Sequence, residues 1–394
     1  MRKLLLATAA GALVGGTALA QDTNVGIIFG FTGPIESLTP PMAASAELAL
    51  KEVSDSGKLL DVITLTPLRS DSTCVHSAAP PAAAERLVTA DNVVAIVGAD
   101  CSPVTMGVLN NVAVPNGVVM VSPSATSPAF STVEDNDLFF RTAPSDARQG
   151  EVLANIVKDN GYDEVAVTYT NNDYGKGLSD SFISNFEELG GTVTINAAHE
   201  DGKGDYSAEV GALAAAGGGL LVVLGYADQG GVGIVQAALD TGAFDTFAFG
   251  DGMFADSLLD ALGSDLEGSI GSVPWSEGEG TDAFTTVAEA GGVDPSSTFT
   301  RESYDSAALI ALAMQAGGEA TREAVAANLM AVANAPGEKI LPGELAKALE
   351  ILAEGGEVDY VGATNVELIG PGEAAGTYRD YVIESGEYKT VQFR

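Results

Sequence analysis

The chain has 394 residues, of which 46% are hydrophobic and 6% are aromatic. At about 150 residues per domain, this length predicts two or three domains, each large enough to bury a core of its own, so disorder is excluded. The 54 acidic residues against 18 basic ones give a formal charge of -36. A field of that sign repels phosphate backbones and anionic lipid headgroups, which argues against nucleic-acid partners and membrane-surface binding.

The first 20 residues have the three parts of a secretory signal peptide. Arg2 and Lys3 are followed by an uncharged stretch at 4–19 and by a small-x-small site that ends at Ala20. We therefore expect export and cleavage after Ala20. A membrane anchor is the weaker alternative, because glycines and threonines dilute a run that is no longer than the minimum of about 17 residues for a span.

The two cysteines, Cys74 and Cys101, are candidates for one disulfide, because an exported protein matures in an oxidising compartment. A zinc site is the alternative and would recruit His76. The only other histidine is His199, and no CxxC or HxxxH spacing exists. We therefore expect no metal and no other cofactor.

The first half of the chain alternates short apolar runs with amphipathic ones. Residues 25–29 read as a buried strand, and Thr39 is expected to cap a helix entered by Pro40 and Pro41. Continuous β-branched runs joined by helices predict parallel strands that are covered on both faces. The further expected strands are 62–68, 93–97 and 118–122, and the expected helices are 81–88 and 104–112.

The same alternation of apolar and amphipathic runs begins again after an expected loop at 141–144. Ser145, the next residue, is expected to cap a helix that runs to about residue 160. The expected strands are 165–169, 193–195, 220–224, 247–249 and 269–273, with helices at 178–189, 206–216 and 233–241. An acidic, Gly-rich loop is expected after Trp275. The expected elements of the last part are helices at 304–316, 322–332 and 343–353 and a hairpin formed by 378–383 and 388–393.

Signatures of enzymes are missing from the sequence. No GxSxG, HExxH, GxGxxG or GxxxxGK[ST] motif occurs, and His76 and His199 are the only imidazoles. A catalytic pair of carboxylates among the 54 acidic residues has no sequence signal, so a secreted enzyme stays open only as an alternative. We expect no catalytic residue.

The informative polar residues lie in turns just past the ends of two predicted strands, where open α/β sheets bind their ligands. In the turn at 98–105, Ser102 lies where a helix N-terminus would expose NH groups to an anion. In the turn at 122–128, Thr126 offers a hydroxyl and a backbone NH. Together the two turns would form a cradle for a carboxylate, although each can also be read as ordinary turn and cap residues.

A series of motifs in family order makes the chain resemble the periplasmic amino-acid-binding proteins of the branched-chain type. These type I periplasmic binding proteins, the leucine/isoleucine/valine-binding protein family, deliver ligands to ABC transporters. The matching segments are 31–35 (FTGPI), 46–50 (AELAL), 97–98 leading to 101–102, 122–128 (SPSATSP), 140–146 (FRTAPSD), 174–178 (YGKGL), 225–226 and 304–305.

The resemblance implies an α/β fold of two Rossmann-like lobes with parallel-sheet cores. Three crossovers would join them, near 142–145, 273–275 and 376–378. The implied divisions are a signal peptide at 1–20, a first lobe at 21–143 plus 274–376, and a second lobe at 144–273 plus 377–394. The resemblance also implies a periplasmic monomer that captures a small amino acid by hinge closure and presents it to an ABC transporter permease.

The resemblance assigns roles to individual residues. Cys74 and Cys101 match the family's linked pair, and Ser102 matches its carboxylate-binding serine. Residues of the cleft that the resemblance matches are Ala125 and Thr126 in the second turn, the aromatic Tyr174 and Tyr226, and Asp251 as the acidic partner of the ligand ammonium.

Asp251 departs from the family, which has Glu at this position. A shorter carboxylate moves the ammonium or enlarges the site, so the preferred ligand is left open. Glu36, near the mouth of the cleft, and Trp275, in a predicted crossover, are further candidates for selectivity. A ligand-binding sensor and a binder of a related small amide or carboxylic acid remain alternatives, because fold alone does not decide function.

Overall fold

The structure is a computed structural model that describes residues 22–75 and 78–394. The predicted signal peptide, its cleavage site at Ala20 and His76 lie outside these residues. Among the helices of the described ranges, none combines the length and the apolarity that crossing a membrane requires.

The first of two large sheets has seven strands in the order β13-β14-β5-β4-β3-β1-β2. Strands β1 to β5 and β14 run parallel, and only the edge strand β13 is antiparallel to its neighbour. The strands are β1 (Asp22–Phe29), β2 (Thr64–Asp71), β3 (Ala95–Gly98), β4 (Val119–Ser122), β5 (Phe139–Pro144), β13 (Leu368–Ile369) and β14 (Glu373–Ala374).

Eight helices of the described chain pack on the first sheet or on one another, and together with the sheet they form what we call the first lobe. These are α1 (Thr39–Ser56), α2 (Ala79–Thr89), α3 (Ser102–Val108), α4 (Val114–Asn116), α10 (Glu279–Gly291), α11 (Thr300–Gly317), α12 (Arg322–Ala333) and α13 (Leu345–Ala353). A two-stranded parallel sheet, β11 (Glu338–Ile340) with β12 (Val358–Tyr360), belongs to the same lobe. Helix α11 is buried almost all round, because α1, α12 and α13 all pack on it.

The second large sheet also has seven strands, in the order β16-β15-β10-β9-β8-β6-β7. Strand β15 runs antiparallel to both of its neighbours, β10 and β16. Its strands are β6 (Glu164–Thr170), β7 (Thr192–His199), β8 (Leu221–Leu224), β9 (Phe247–Phe249), β10 (Ile270–Pro274), β15 (Tyr378–Glu384) and β16 (Glu387–Phe393). The helices of this second lobe are α5 (Asp146–Asp159), α6 (Asp173–Glu188), α7 (Ser207–Ala216), α8 (Val232–Thr241) and α9 (Asp256–Leu262).

The chain passes between the lobes three times, close to the predicted positions. It crosses between β5 and α5, after β10, and between β14 and β15. The crossing segments are hydrogen-bonded to one another: the Trp275 NH donates to the Thr377 carbonyl oxygen over 3.0 Å, and the Tyr378 hydroxyl donates to the Ser145 carbonyl oxygen over 3.3 Å. The predicted two-lobed α/β fold is confirmed.

Three local predictions are wrong. Thr39 does not cap α1: its hydroxyl donates to the Gly30 carbonyl oxygen over 3.0 Å, and the N-cap is Leu38. The expected loop at 141–144 is the end of β5, and the expected acidic loop after Trp275 contains α10. The Ser145 cap and the C-terminal hairpin are confirmed, since Ser145 Oγ accepts the Ala147 NH over 3.3 Å and β15 pairs with β16.

Candidate functional site

A cavity lies between the two lobes, at the carboxyl ends of the central parallel strands. This is where α/β sheets of this kind place their ligands. The first lobe contributes Ile35, Leu38, Met42, Asp100, Cys101, Ser102, Ser124 and Phe299 to its lining, and the second contributes Tyr174, Tyr226, Asp251 and Gly252.

The first polar wall is the turn between β3 and α3. Ser102 is the first residue of α3 and is buried, and its Oγ accepts the Ser127 NH over 3.1 Å. Its own hydroxyl hydrogen remains available to a ligand oxygen. Asp100 fixes the turn, because its carboxylate accepts the Gly30 NH, the Ser72 hydroxyl at 2.9 Å and the Cys101 NH at 2.8 Å.

The disulfide predicted between Cys74 and Cys101 is confirmed, with 5.4 Å between the Cα atoms. Cys101 lines the cavity and precedes Ser102, so the bridge ties the turn that contains Ser102 to the loop after β2. No group of three or more His, Cys, Asp or Glu side chains that could hold a metal ion occurs within 22–75 and 78–394. His199 is buried beside Thr168, and burial lowers the pKa of its imidazole to about 4.

The second polar wall is the turn between β4 and β5, and it is held from behind by a buried arginine. Arg141 is 1% exposed, donates to the carbonyl oxygens of Ala125 (3.1 Å) and Ser127 (2.9 Å), and forms an ion pair with Glu373. The Ala125 NH donates to Ser122 Oγ over 2.9 Å. Ala125 therefore offers no free NH to a ligand, and neither Ala125 nor Thr126 is among the residues that line the cavity.

The second lobe brings the predicted Asp251 and the two predicted tyrosines together. The Tyr174 hydroxyl donates to Asp251 Oδ1 over 2.6 Å and accepts the Gly252 NH over 3.1 Å. The ring of Tyr226 stacks on that of Tyr174, with 5.1 Å between centroids and 17° between planes. Burial raises the pKa of Asp251, although the hydrogen bonds from Tyr174 and Gly252 oppose the rise.

A second carboxyl group, Asp146, was not predicted to belong to the site. It begins α5, is 0% exposed, and neither of its carboxyl oxygens has a hydrogen-bond partner among the described residues. Burial and the nearby negative charge of Asp251 raise its pKa well above the usual value, while Thr126 and Arg141 oppose the rise. The buried Thr126 hydroxyl lies close enough to Asp146 to lower its pKa, although the pair lacks the geometry of a hydrogen bond.

Asp146 was present in one of the matching segments, but an acidic residue there also reads as an ordinary first-turn helix residue. Its proximity to Asp251 depends on the crossover that brings α5 beside β10, which no local pattern reveals. Two buried carboxyl groups thus share one region, and the guanidinium behind them is engaged by Ser127 and Glu373. Such a region attracts a cationic ligand group.

The remaining cavity wall is apolar. Ile35 and Leu38 come from the loop before α1, Met42 comes from the first turn of α1, and Phe299 precedes α11. Phe299 has a left-handed backbone with φ of 60°. This wall can hold an aliphatic group, and the sequence reasoning did not single out these four side chains.

The two residues proposed for selectivity lie away from the cavity lining. Glu36 is exposed, and its carboxylate accepts the Gly33 NH over 3.3 Å. Trp275 lies in the second crossover, where its ring is 3.5 Å from the guanidinium carbon of Arg301 and 5.1 Å from that of Arg379. Neither side chain is placed to contact a molecule in the cavity directly.

Comparison with known proteins finds relatives over most of the chain. A family model described as "Periplasmic binding protein" matches residues 22–345. The Leu/Ile/Val-binding protein homolog 1 of Brucella melitensis is 30% identical over 335 residues, which cover 83% of this chain and 87% of that protein.

Solved structures show the same fold at lower identity. The leucine-binding protein LivK of Thermotoga maritima matches with a TM-score of 0.79 and 21% identity, covering 94% of this chain and 98% of that one. A solute-binding protein of an ABC transporter from R. palustris, in complex with 4-hydroxybenzoate, matches with a TM-score of 0.77 and 18% identity over 95% and 97% of the two chains.

Proposed function

This chain belongs to the periplasmic binding protein family, and we propose on that premise that its cavity binds an aliphatic amino acid. The protein is a solute-binding component of an ABC transporter that captures its ligand between two lobes. We propose that Ser102 binds the ligand carboxylate and that Asp251 binds the ammonium, assisted by the charge of Asp146 and the hydroxyl of Thr126, which lie outside the cavity lining.

The carboxyl pair is the observation that carries this proposal. Asp146 and Asp251 are buried and lie near each other, and Asp146 has no partner among the described residues. An ammonium group supplies donors for the unpaired oxygens of Asp146 and a positive charge beyond that of Arg141, whose guanidinium is engaged by Ser127 and Glu373. The stacked rings of Tyr174 and Tyr226 form an adjoining wall, whose faces favour a cation.

The aliphatic part of the ligand is assigned to the opposite wall. Ile35, Leu38, Met42 and Phe299 offer only apolar atoms from their side chains. A leucine-like side chain buried there gains about 1.5–3 kcal/mol from leaving water. A charged side chain would lose its hydration without finding a partner, so we expect acidic and basic amino acids to be rejected.

Calorimetry with Asp251→Ala tests the ammonium assignment. The substitution leaves the ligand charge with one partner fewer in a buried site, which costs about 2–5 kcal/mol, or about thirty-fold to several-thousand-fold in affinity for leucine. The matched control is Asp256→Ala, which removes an exposed acid of the same lobe five positions along the chain. Binding of leucine by Asp251→Ala within threefold of the unmodified protein would make the assignment wrong.

A simple carboxylic acid is the second candidate ligand, because a protein of the same fold is described in complex with 4-hydroxybenzoate. The deaminated analogue of leucine, 4-methylpentanoate, separates the two candidates in the same calorimeter. An amino-acid site that uses both carboxyl groups should bind the analogue at least thirty-fold more weakly, by about the cost of leaving a buried charge unpaired. Equal affinity for both compounds would favour the acid.

The remaining parts of the proposal concern the maturation, location, domain boundaries and biological role of the protein. We propose cleavage after Ala20, residence in the periplasm, action as a monomer, and lobes bounded at residues 21–143 plus 274–376 and 144–273 plus 377–394. We further propose that the bound compound leaves unchanged, so that no catalytic step occurs. Loss of uptake in a strain without the protein would favour transport, whereas loss of a behavioural response with uptake intact would favour sensing.

A further inference from the structure

One acidic residue outside the cavity joins the two lobes directly. Asp228 lies in the helical turn 227–231 that follows β8, in the second lobe. Its Oδ2 accepts the NH of Ser37, which belongs to the first lobe, over 2.8 Å. The backbone adds to the contact, because the Asp228 NH donates to the Pro34 carbonyl oxygen over 3.2 Å.

A hydroxyl of its own lobe orients the same carboxylate. Ser257, in the first turn of α9, donates through Oγ to Asp228 Oδ1 over 2.7 Å. Ser257 Oγ also lies 3.4 Å from Ser37 Oγ, across the gap between the lobes. The two carboxylate oxygens are therefore used differently: one is fixed within the second lobe, and the other takes a donor from the first lobe.

The position of Ser37 makes this contact more favourable for an anion. Ser37 lies two residues before α1 begins, and α1 is 18 residues long with no acidic side chain in its first turn. The N-terminal end of a helix carries a partial positive charge, which a carboxylate complements. A neutral hydrogen bond, from Thr298 Oγ1 to the Phe254 carbonyl oxygen over 2.7 Å, also joins the lobes but lacks this charge.

The contact connects two segments that also form the cavity. Ser37 lies between Ile35 and Leu38, which line the cavity from the first lobe, and Asp228 is two residues from Tyr226, which lines it from the second. Asp228 itself is partly exposed and is not among the lining residues. Its bond to Ser37 can form only when the lobes are together, and it does not need to touch the ligand.

We propose that Asp228 is a positioning residue that holds the closed state, and that it raises the affinity for every ligand of this cavity by the same factor. The inference rests on the proposed function, because it assumes that binding requires closure. The apparent affinity of a protein that binds in one conformation scales with the fraction present in that conformation. A residue that changes only this fraction leaves the ratio between two ligands unchanged.

Calorimetry of Asp228→Ala with leucine and with valine tests the proposal. We expect both affinities to fall by the same factor, about fivefold to thirtyfold, as for the loss of hydrogen bonds to a partly exposed charged group. Stopped-flow measurement should show that faster dissociation accounts for the loss. The matched control is Asp240→Ala, which removes an exposed acid from α8 of the same lobe and should stay within twofold of the unmodified protein.

Ser257→Ala provides a second test, because it removes the hydroxyl that orients Asp228. It should weaken both ligands by a smaller common factor and should have no further effect in the Asp228→Ala background. The ligand-free Asp228→Ala protein should melt at the same temperature as the Asp240→Ala protein, since the contact between lobes belongs to the closed state.

Three results would overturn the proposal: leucine affinity of Asp228→Ala within twofold of the unmodified protein, a changed leucine-to-valine ratio, or a lower melting temperature of the ligand-free variant than of its control. A changed ratio would place Asp228 in contact with the ligand, and a lower melting temperature would give it a structural role. Failure of the unmodified protein to bind either amino acid would instead overturn the proposed function on which the inference rests.

Discussion

At the scale of single residues, the site is defined by two buried carboxyl groups, of which Asp251 is hydrogen-bonded to Tyr174 and Asp146 has no hydrogen-bond partner among the described residues. Asp146 and Asp251 are buried together, and burial raises the pKa of both carboxyl groups. In the absence of a ligand, protonation of one carboxyl group reduces the repulsion between them at the lowest cost in free energy. A ligand ammonium and that proton therefore compete for the same place.

This competition predicts that leucine binds more tightly as the pH rises through the raised pKa values, with release of a proton. Calorimetry in two buffers with different ionisation enthalpies measures the release directly, and Asp146→Asn should remove it. The stability of the ligand-free protein has the opposite pH dependence. Above pH 3.8 the unfolded chain loses protons that the two buried carboxyl groups of the folded chain still hold, so the free energy of unfolding falls as the pH rises through the same range. Affinity that is flat across this pH range would contradict the shared proton.

Glu302 predicts a pH effect on stability away from the site. It is buried in α11, Oε2 has no partner in the described chain, and burial raises its pKa to about 7. Above that pH the folded protein bears a buried charge, so Glu302→Gln should raise the free energy of unfolding at pH 8 by about 2 kcal/mol and change it little at pH 5. Urea denaturation at both pH values checks this, with Glu319→Gln at an exposed position as the control. The same gain at both pH values would mean that packing, not charge, is responsible.

At the scale of elements, the turns that form the cavity are fixed by their neighbours more than by their own sequence. The turn that contains Ser102 is tied by the Cys74–Cys101 bridge and by the Asp100 carboxylate. The turn that contains Thr126 is tied by Arg141. These ties keep the donor groups in place before a ligand arrives, which lowers the entropic cost of binding.

The disulfide should therefore contribute to both stability and affinity. Closing a loop between residues 27 positions apart is worth about 3–4 kcal/mol in the chain-entropy description. We expect the Cys74→Ala/Cys101→Ala protein to unfold at a lower temperature and to bind leucine more weakly, because Cys101 adjoins Ser102. Calorimetric scanning and titration of this double variant are the measurements. Unchanged leucine affinity in a destabilised variant would limit the bridge to stability alone.

The strands could be predicted because each has a local signal in the sequence, the disulfide because the chain has two cysteines and a predicted leader, and the crossovers because the resemblance to the family implies them. Two errors show where such signals fail. Helix α10 was read as a loop because of its glycines, yet a Cβ at Gly280 would lie 2.0 Å from the Gly362 carbonyl oxygen, so close packing requires the glycine. The end of β5 was read as a loop, although its charged Arg141 can be buried in a strand because the distant Glu373 compensates the charge.

Four of the residues that line the cavity were named from the sequence, because they lie in recognisable turns or in segments that match the family. Ser102, Tyr174, Tyr226 and Asp251 line the cavity, and each belongs to a turn or motif that the sequence displays. Asp146 is not among the lining residues, and it lies near Asp251 only because the chain crosses between the lobes immediately before it. The apolar wall includes Phe299, whose place depends on the return of the chain to the first lobe after residue 274, and no local pattern predicts that contact.

At the scale of the whole molecule, the charges expected on an amino acid are divided between the two lobes and the segment that joins them. Ser102 belongs to the first lobe, Asp251 to the second, and Asp146 follows the first crossover directly. A ligand held by all three groups favours the state in which the lobes are together. The crossing segments near Trp275 and Tyr378 are hydrogen-bonded to their neighbours, and we propose that they form the hinge of this motion.

Small-angle scattering tests closure by an amino acid most directly. The protein is first freed of any co-purified ligand by denaturation and refolding, and its radius of gyration is then measured before and after leucine is added. We predict a smaller radius with leucine and no contraction for Asp251→Ala at the same leucine concentration, because that variant leaves the site largely empty. A radius that stays unchanged while calorimetry shows leucine bound, with the ligand-free protein shown to be open, would contradict capture by closure of the lobes.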